Sequence, residues 1–234
     1  MEATQELTKP PIKKERIKIV GLKQLFNKKH KVLEKFAAKW KPHLGMVEDC
    51  CIIFIWGNSG SGKSELLMQL VKDISDEGNV LYVGLEEKTR MTMKERAKRY
   101  LSEEMHSGKI KWWDDKPNHE LLLKYLRKKK SAKIVVIDSI NYLRILYSEY
   151  VHMKEEFKKK IFIINAHASG KEPKGSTAYS IRYDADIKIR VEGKVAFPDS
   201  RYFGGGQNVI IWPEGAKKYW NQKEMSAIKS GKKL

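Results

Sequence analysis

The stretch GNSGSGKSE, residues 57–65, constrains this chain more than any other. Gly57, Gly62, Lys63 and Ser64 fit G-x-x-x-x-G-K-[ST] in full, with Asn58, Ser59, Gly60 and Ser61 between them and Glu65 after. Such a loop works only in one setting: a buried strand before it and a helix after it. Both flanks fit. CCIIFIW (50–56) is a short continuous apolar run, as in a strand buried on both faces, and SELLMQLVKDIS (64–75) has helical spacing. Glycines let backbone N–H groups turn inward around phosphate oxygens, and the helix N-terminus adds partial positive charge. Lys63 would reach the β- and γ-phosphates, and Ser64 would give magnesium a hard oxygen ligand.

The rest of the chain repeats the strand–helix alternation. NVLYVGL reads as a second strand and residues 89–106 as a charged helix. KIKWWD is a short strand, NHELLLKYLRKKK a helix, KIVVIDSI a long strand, 149–160 a helix and IFIINAH a fourth long strand. This order predicts an α/β fold with a mainly parallel central sheet flanked by helices. Past residue 184, ADIKIRVEG, KVAFP and NVIIWP read as strands with no helices between them, so antiparallel strands are expected at the C-terminal edge.

The ends differ from the middle. Residues 1–18 read as a basic arm, with KPP blocking an early helix. In residues 22–40, Leu22, Leu25, Phe26, Leu33, Phe36, Ala37 and Trp40 mark one face of an amphipathic helix closed by KPHLG. The expected division is therefore an arm and helix over 1–44, a core over 45–220 and a basic tail over 221–234. Net charge is +18, and it is uneven: residues 1–48 hold 12 Lys/Arg against 5 Glu, and residues 215–234 hold 6 Lys against 1 Glu. Such a balance attracts polyanions by counterion release. The triplets Lys128–Lys130 and Lys158–Lys160 each end a helix, where lysines complement the helix dipole. The hydrophobic share of 41% suffices for a packed core. No run of 18 apolar residues predicts a membrane span, and the polar N-terminus does not read as a secretory signal. Cys50 and Cys51 are adjacent and suggest neither a disulfide framework nor a zinc site, so the cytoplasm is the expected compartment.

Two acids complete a nucleotide site. Asp138 ends the strand KIVVID, where it would hold a magnesium-bound water. Glu86 ends VLYVGLEE, and a carboxylate at that strand end faces the same crevice as the loop, placed to polarise a water for attack on the γ-phosphate.

The ordered set GNSGSGKSE, VLYVGLEE, KIVVIDSIN and IFIINAH resembles the RecA-like ATPase core over about residues 45–220, most closely the RadA and DnaB branches. The resemblance implies ATP and Mg2+ as cofactors. Lys63 and Ser64 would be the loop lysine and the magnesium ligand, Glu86 the catalytic glutamate and Asp138 the Walker B aspartate. His167, closing the fourth strand, falls where the family keeps a polar sensor of the γ-phosphate. Arg201, before the Gly-rich turn in DSRYFGGGQNVIIW, matches a finger supplied to a neighbouring subunit, although Asp199 stands where the helicase pattern has a basic residue. The family presents two loops to nucleic acid, here about 141–152 and 168–180. The first carries Tyr142, Arg144 and Tyr147. In the second, Lys171, Lys174 and Arg182 would contact phosphates, aided by Ser176 and Thr177.

The resulting expectation is an oligomeric, ATP-hydrolysing protein that binds nucleic acid, single-stranded DNA above all, in replication, recombination or repair. A compact phage or mobile-element protein would fit, since no second large domain and no CxxC zinc pair is evident. Two other readings stay open. A small-molecule or nucleoside kinase would use Arg90, Arg96 and Arg99 as a lid. A helicase loader or recombination accessory protein would use nucleotide only as a switch.

Overall fold

The computed structural model describes residues 19–233. The basic arm expected over 1–18 lies outside the described residues. Residues 19–30 belong to a small unit of their own, whose one helix, α1 (Leu22–Phe26), exposes Leu22, Leu25 and Phe26.

The helix expected over 22–40 is therefore two helices. The second, α2 (Glu34–Leu44), begins after Val32 has bridged to Glu48 and the Leu33 N–H has bonded the Val47 carbonyl. The break falls in Asn27–Lys31, where four of five residues are Lys or His and no apolar side chain continues the stripe. α2 then buries Phe36, Trp40 and Leu44 and stops at Gly45, whose φ of 78° few other residues tolerate.

Residues 31–233 are built on one sheet in the order β3-β2-β4-β5-β1-β7-β8-β9. The strands are β1 (Ile52–Gly57), β2 (Val80–Gly84), β3 (Ile110–Trp113), β4 (Ile134–Asp138), β5 (Ile161–Ser169), β7 (Ile187–Glu192), β8 (Val195–Ser200) and β9 (Val209–Ile210). A two-residue strand, β6 (Glu172–Pro173), folds back on the end of β5. Pairing is parallel from β3 through β7, and β8 and β9 add the antiparallel edge.

The central strands are apolar on both sides because both faces are covered. Ile53 and Ile55 of β1 join one core cluster with Phe36 and Trp40 of α2 and Leu66 and Leu70 of α3 (Lys63–Ile74). Their neighbours Ile52, Phe54 and Trp56 join the other, with Leu122 of α5 (His119–Leu126) and Met153 of α7 (Tyr147–Glu156). α4 (Met91–Leu101) packs on the α3 side through Met93 and Leu101. The two-residue alternation of a strand thus divides one apolar run between two cores.

Two stretches differ from their sequence reading. The region 168–180, expected as a mobile loop, holds the β5–β6 hairpin and then α8 (Ser176–Asp184), which buries Ala178 and Ile181. Its Gly, Ser and Lys content masked a helix whose apolar positions three residues apart face the core. α8 is also the crossover that lets β7 lie parallel to β1, which a tight turn could not do. The region 141–152 holds α6 (Ile140–Leu143) and the first part of α7. At the C-terminus, α9 (Pro213–Tyr219) is followed by α10 (Gln222–Lys229) within the stretch read as a tail. Asn221 and Glu224 form a capping box, and Met225 and Ile228 are buried against Val195, Phe197 and Trp220.

Candidate active site

Parallel strands end together, so register alone aligns the site. Gly84 of β2 pairs with Asp138 of β4, Asp138 with Asn165 of β5, and His167 of β5 with Gly57 of β1. Glu86, Asp138, His167 and the phosphate loop therefore share one rim of the sheet. Two main-chain bonds tie the rim together: the N–H groups of Leu85 and Glu86 both donate to the Asp138 carbonyl, at 2.6 and 3.2 Å.

Gly57 starts the loop because nothing larger fits: a Cβ there would collide with the Val191 carbonyl and lie 2.8 Å from Ser61 Oγ. The Ser61 N–H closes a turn onto the Asn58 carbonyl at 3.2 Å. Gly62 caps α3 at φ 114° with no side-chain capping bond, so the first turn of the helix opens toward the cleft. The cleft encloses 240 Å3 and is lined by Ser59, Gly60, Gly62, Lys63, Ser64 and Glu65 of the loop and the start of α3. Glu86, Glu87, Arg96, Asn165, His167 and Lys194 complete its lining.

Lys63 is buried, and its Nζ donates to the Asn58 carbonyl at 2.9 Å. Burial holds its pKa below the ordinary lysine value, against the pull of Glu86 and Asp138. Glu86 lies 3.6 Å from His167 Nε2. Burial raises its pKa, while His167 opposes the shift. Asp138 sits beneath the cleft wall, 4% exposed, with each carboxylate oxygen held: Tyr82 donates its hydroxyl to one and Asn165 its Nδ2 to the other, both at 2.5 Å. His167 is fixed through its backbone N–H, which donates to Asn141 Oδ1 at 2.9 Å, and through an edge-on contact with the Tyr142 ring.

The donor set fits a phosphate-bound magnesium ion. Ser64 lines the cleft with a hard hydroxyl oxygen, Asn165 lines it with an Oδ1 that is buried without a hydrogen-bond partner, and the Asp138 carboxylate stands directly behind, bonded to Asn165 Nδ2. Among the described residues no group of three or more His, Cys, Asp or Glu is arranged to hold an ion alone. Magnesium needs no such cage, since phosphates and waters supply most of its shell.

The rim gathers the loop residues, Glu86, Asp138 and His167, but not Arg201. That residue follows β8 at the opposite rim, where β1 begins. Its N–H donates to the Asp186 carbonyl and its guanidinium to the Tyr183 carbonyl, both at 3.0 Å, with the Asp186 carboxylate at 3.6 Å. Asp186 in turn accepts the Ile52 N–H at the start of β1. Arg201 cannot serve the site of its own chain. Lys171 and Lys174 do lie beside the rim, in the β5–β6 hairpin: the Lys171 carbonyl accepts from Trp56 Nε1, and the Lys174 N–H donates to the His167 carbonyl. Arg182, expected to contact phosphates, is engaged within the fold. It pairs with Glu172 at 2.5 Å and lies over the rings of Trp56, Tyr179 and Tyr183, with 18% of its side chain exposed. A guanidinium packed this way braces α8 against β1.

Several residues that build the site escaped the sequence reading. Asn165 could have been found, because NAH places two polar side chains two apart on one face of an otherwise apolar strand. Tyr82 and Asn141 act through side chains met only in the fold. Arg96 is clamped between Glu65 at 3.3 Å and Glu87 at 2.9 Å. Beside the loop lies a second cleft of 340 Å3 walled by Trp212 and Tyr219. Lys194 lies between the two clefts.

Solved structures share this fold over much of the chain. A KaiC-like protein from Pyrococcus horikoshii aligns over 77% of this chain and 92% of its own, with TM-score 0.56 and 19% identity. The flagellar accessory protein FlaH from Methanocaldococcus jannaschii aligns over 67% and 80%, with TM-score 0.50 and 21% identity. The fold is RecA-like. At these identities the likeness speaks for the RecA-like P-loop architecture alone. No protein-family model and no curated protein matches the sequence. Among the described residues no helix is long and apolar enough to cross a membrane.

Proposed function

We propose that this chain is an oligomeric ATPase that hydrolyses ATP with magnesium and couples turnover to a grip on nucleic acid. The observation that carries the hydrolytic half is Glu86. It stands on the same rim as Lys63 and Asp138, half-buried, beside His167, where a carboxylate can take a proton from an attacking water. Lys63 and the loop N–H groups hold the phosphates. Ser64 and Asp138 would hold magnesium, which neutralises charge on the triphosphate. Tyr82 and Asn165 keep the Asp138 carboxylate from turning. The cleft beside Trp212 and Tyr219 offers flat apolar walls for the nucleotide's base.

The nucleic-acid half rests on charge and on connectivity. Net charge is +18, and Lys171 and Lys174 sit on a hairpin joined to His167 by a main-chain bond and by Asn141. A change at the γ-phosphate felt by His167 reaches that hairpin within one residue contact. Arg201 lies at the rim opposite its own site, which supports action in trans within a ring or filament. Work on DNA in replication, recombination or repair, kinship with the RadA and DnaB branches, a phage or mobile-element source and a cytoplasmic location belong to the same proposal. The kinase reading loses support from Arg96, whose ion pairs with Glu65 and Glu87 keep it from acting as a free lid.

The test is ATP turnover titrated with single-stranded DNA, duplex DNA and RNA. A low basal rate raised by single-stranded DNA and abolished by Lys63→Ala is expected. Turnover indifferent to every nucleic acid across a range of salt would overturn the nucleic-acid half, and no turnover at all would leave the nucleotide-switch reading.

A further inference from the structure

Lys194 stands at the tip of the hairpin between β7 and β8. Glu192 pairs with Val195, so Gly193 and Lys194 form a two-residue turn with φ of 53° and 63°. Both central residues of such a turn sit in the left-handed region, where glycine or asparagine is favoured. Gly193 obeys that preference because a Cβ would strike the Tyr219 ring and Trp220 Nε1. Lys194 does not. A long side chain kept where glycine would be easier implies that the side chain is wanted.

Its backbone is fastened to the phosphate loop and to the segment after β9. The Lys194 N–H donates to the Ser61 carbonyl at 2.8 Å, and its own carbonyl accepts from the N–H groups of Ile211 and Trp212 at 2.9 and 3.4 Å. Its ammonium donates to the Gly60 carbonyl and lies 5.9 Å from the centre of the Trp212 ring. Among the described residues no carboxylate forms an ion pair with it. It lines the phosphate cleft together with Lys63, whose ammonium feels it as a repelling charge. A second cation, pinned at the lip of an anion-binding loop and resting on a neutral carbonyl, is suited to a phosphate oxygen.

We propose that Lys194 is a second phosphate-binding lysine, supplied in cis by the β7–β8 turn to the polyphosphate held in the loop. This rests on the ATPase reading above and adds to it a residue outside its motifs. Phosphate drawn to the ammonium would replace the Gly60 carbonyl as its partner. The lysine would then hold loop, turn and the Trp212 segment together while nucleotide is bound.

Three variants test it, with equilibrium binding of ATP, ADP and AMP and thermal melting as readouts. Lys194→Gln keeps the backbone burden and removes the charge; Lys194→Arg keeps both; Lys194→Gly removes the charge and relieves the turn. ATP affinity is expected to fall on the order of 10-fold or more in the Gln and Gly variants, the loss of one charge-assisted hydrogen bond. The Arg variant should stay within about 3-fold of the parent, and the loss should shrink from ATP to AMP. The Gly variant should melt no lower than the parent, whereas a purely structural lysine would make it melt lower. Gln and Gly variants that bind ATP within about 2-fold of the parent, while Lys63→Ala abolishes binding, would overturn the proposal. A parent chain that binds no ATP at all would instead overturn the ATPase reading itself.

Discussion

Removing the Tyr82 hydroxyl isolates the interaction that holds Asp138. In Tyr82→Phe the ring keeps its stack on Trp112, with centroids 4.7 Å apart and planes at 19°, so packing is conserved. What disappears is a 2.5 Å hydrogen bond to a carboxylate that is 4% exposed. Hydrogen bonds to charged groups contribute about 1.5–3 kcal/mol, and because Asn165 still donates to the carboxylate in the variant, about 2 kcal/mol is expected to be lost. For a domain of this size about 2 kcal/mol lowers the melting temperature by roughly 4–8 °C. Chemical denaturation of parent and variant measures the loss. A double-mutant cycle with Asp138→Asn then assigns it: once the charge is gone, the hydroxyl matters less, giving a coupling of about 1 kcal/mol. ATP turnover should fall by roughly 10-fold or more, because the group that orients a metal ligand has been removed. A variant within about 0.5 kcal/mol of the parent, or a cycle with no coupling, would refute the claim that Tyr82 fixes the carboxylate.

Three further outcomes are expected. ATPase activity should fall on acidification with a midpoint above the ordinary carboxylate value, because burial raises the Glu86 pKa and the reaction needs the ionised form; a pH–rate profile measures it. The same shift has the opposite sign for stability: folded Glu86 holds its proton more tightly than the unfolded chain does. Its contribution is therefore present below the ordinary carboxylate pKa and lost as pH rises through the raised one, visible as a change in melting slope that Glu86→Gln removes. Asn141→Ala should cut the exchange protection of the His167 amide by about 10-fold or more, since the 2.9 Å bond to Asn141 Oδ1 and the 2.8 Å bond to the Lys174 carbonyl both go; unchanged exchange would show that the clamp does not hold.

The site was legible where its parts are local. A phosphate loop, the strand before it and the helix after it lie within 25 residues, and each acid ends its own apolar strand, so parallel register does the rest. What stayed hidden depends on partners far along the chain. The polar run Asn27–Lys31 interrupts the stripe, and the pairing that then starts α2 afresh, Val32 with Glu48, lies outside the helix itself. α8 reads as a loop until Ala178 and Ile181 are seen to join the core cluster that also holds Phe54 and Trp56. α10 carried a local signal, the Asn221–Glu224 capping box ahead of Met225 and Ile228, which the density of lysines obscured. Lys194 had none: a Gly-Lys pair between two strands is any hairpin turn until Ser61 accepts its N–H. The placement of Arg201 is likewise set by the antiparallel return of β8, which carries the arginine to the opposite rim.

ATP binding and ATP hydrolysis measured side by side on Glu86→Gln probe the account at its centre. The variant should bind ATP as tightly as the parent, because Lys63 and the loop hold the phosphates, and should hydrolyse it at least about 100-fold more slowly. Hydrolysis at the parent rate would mean that the carboxylate at this rim does no chemistry.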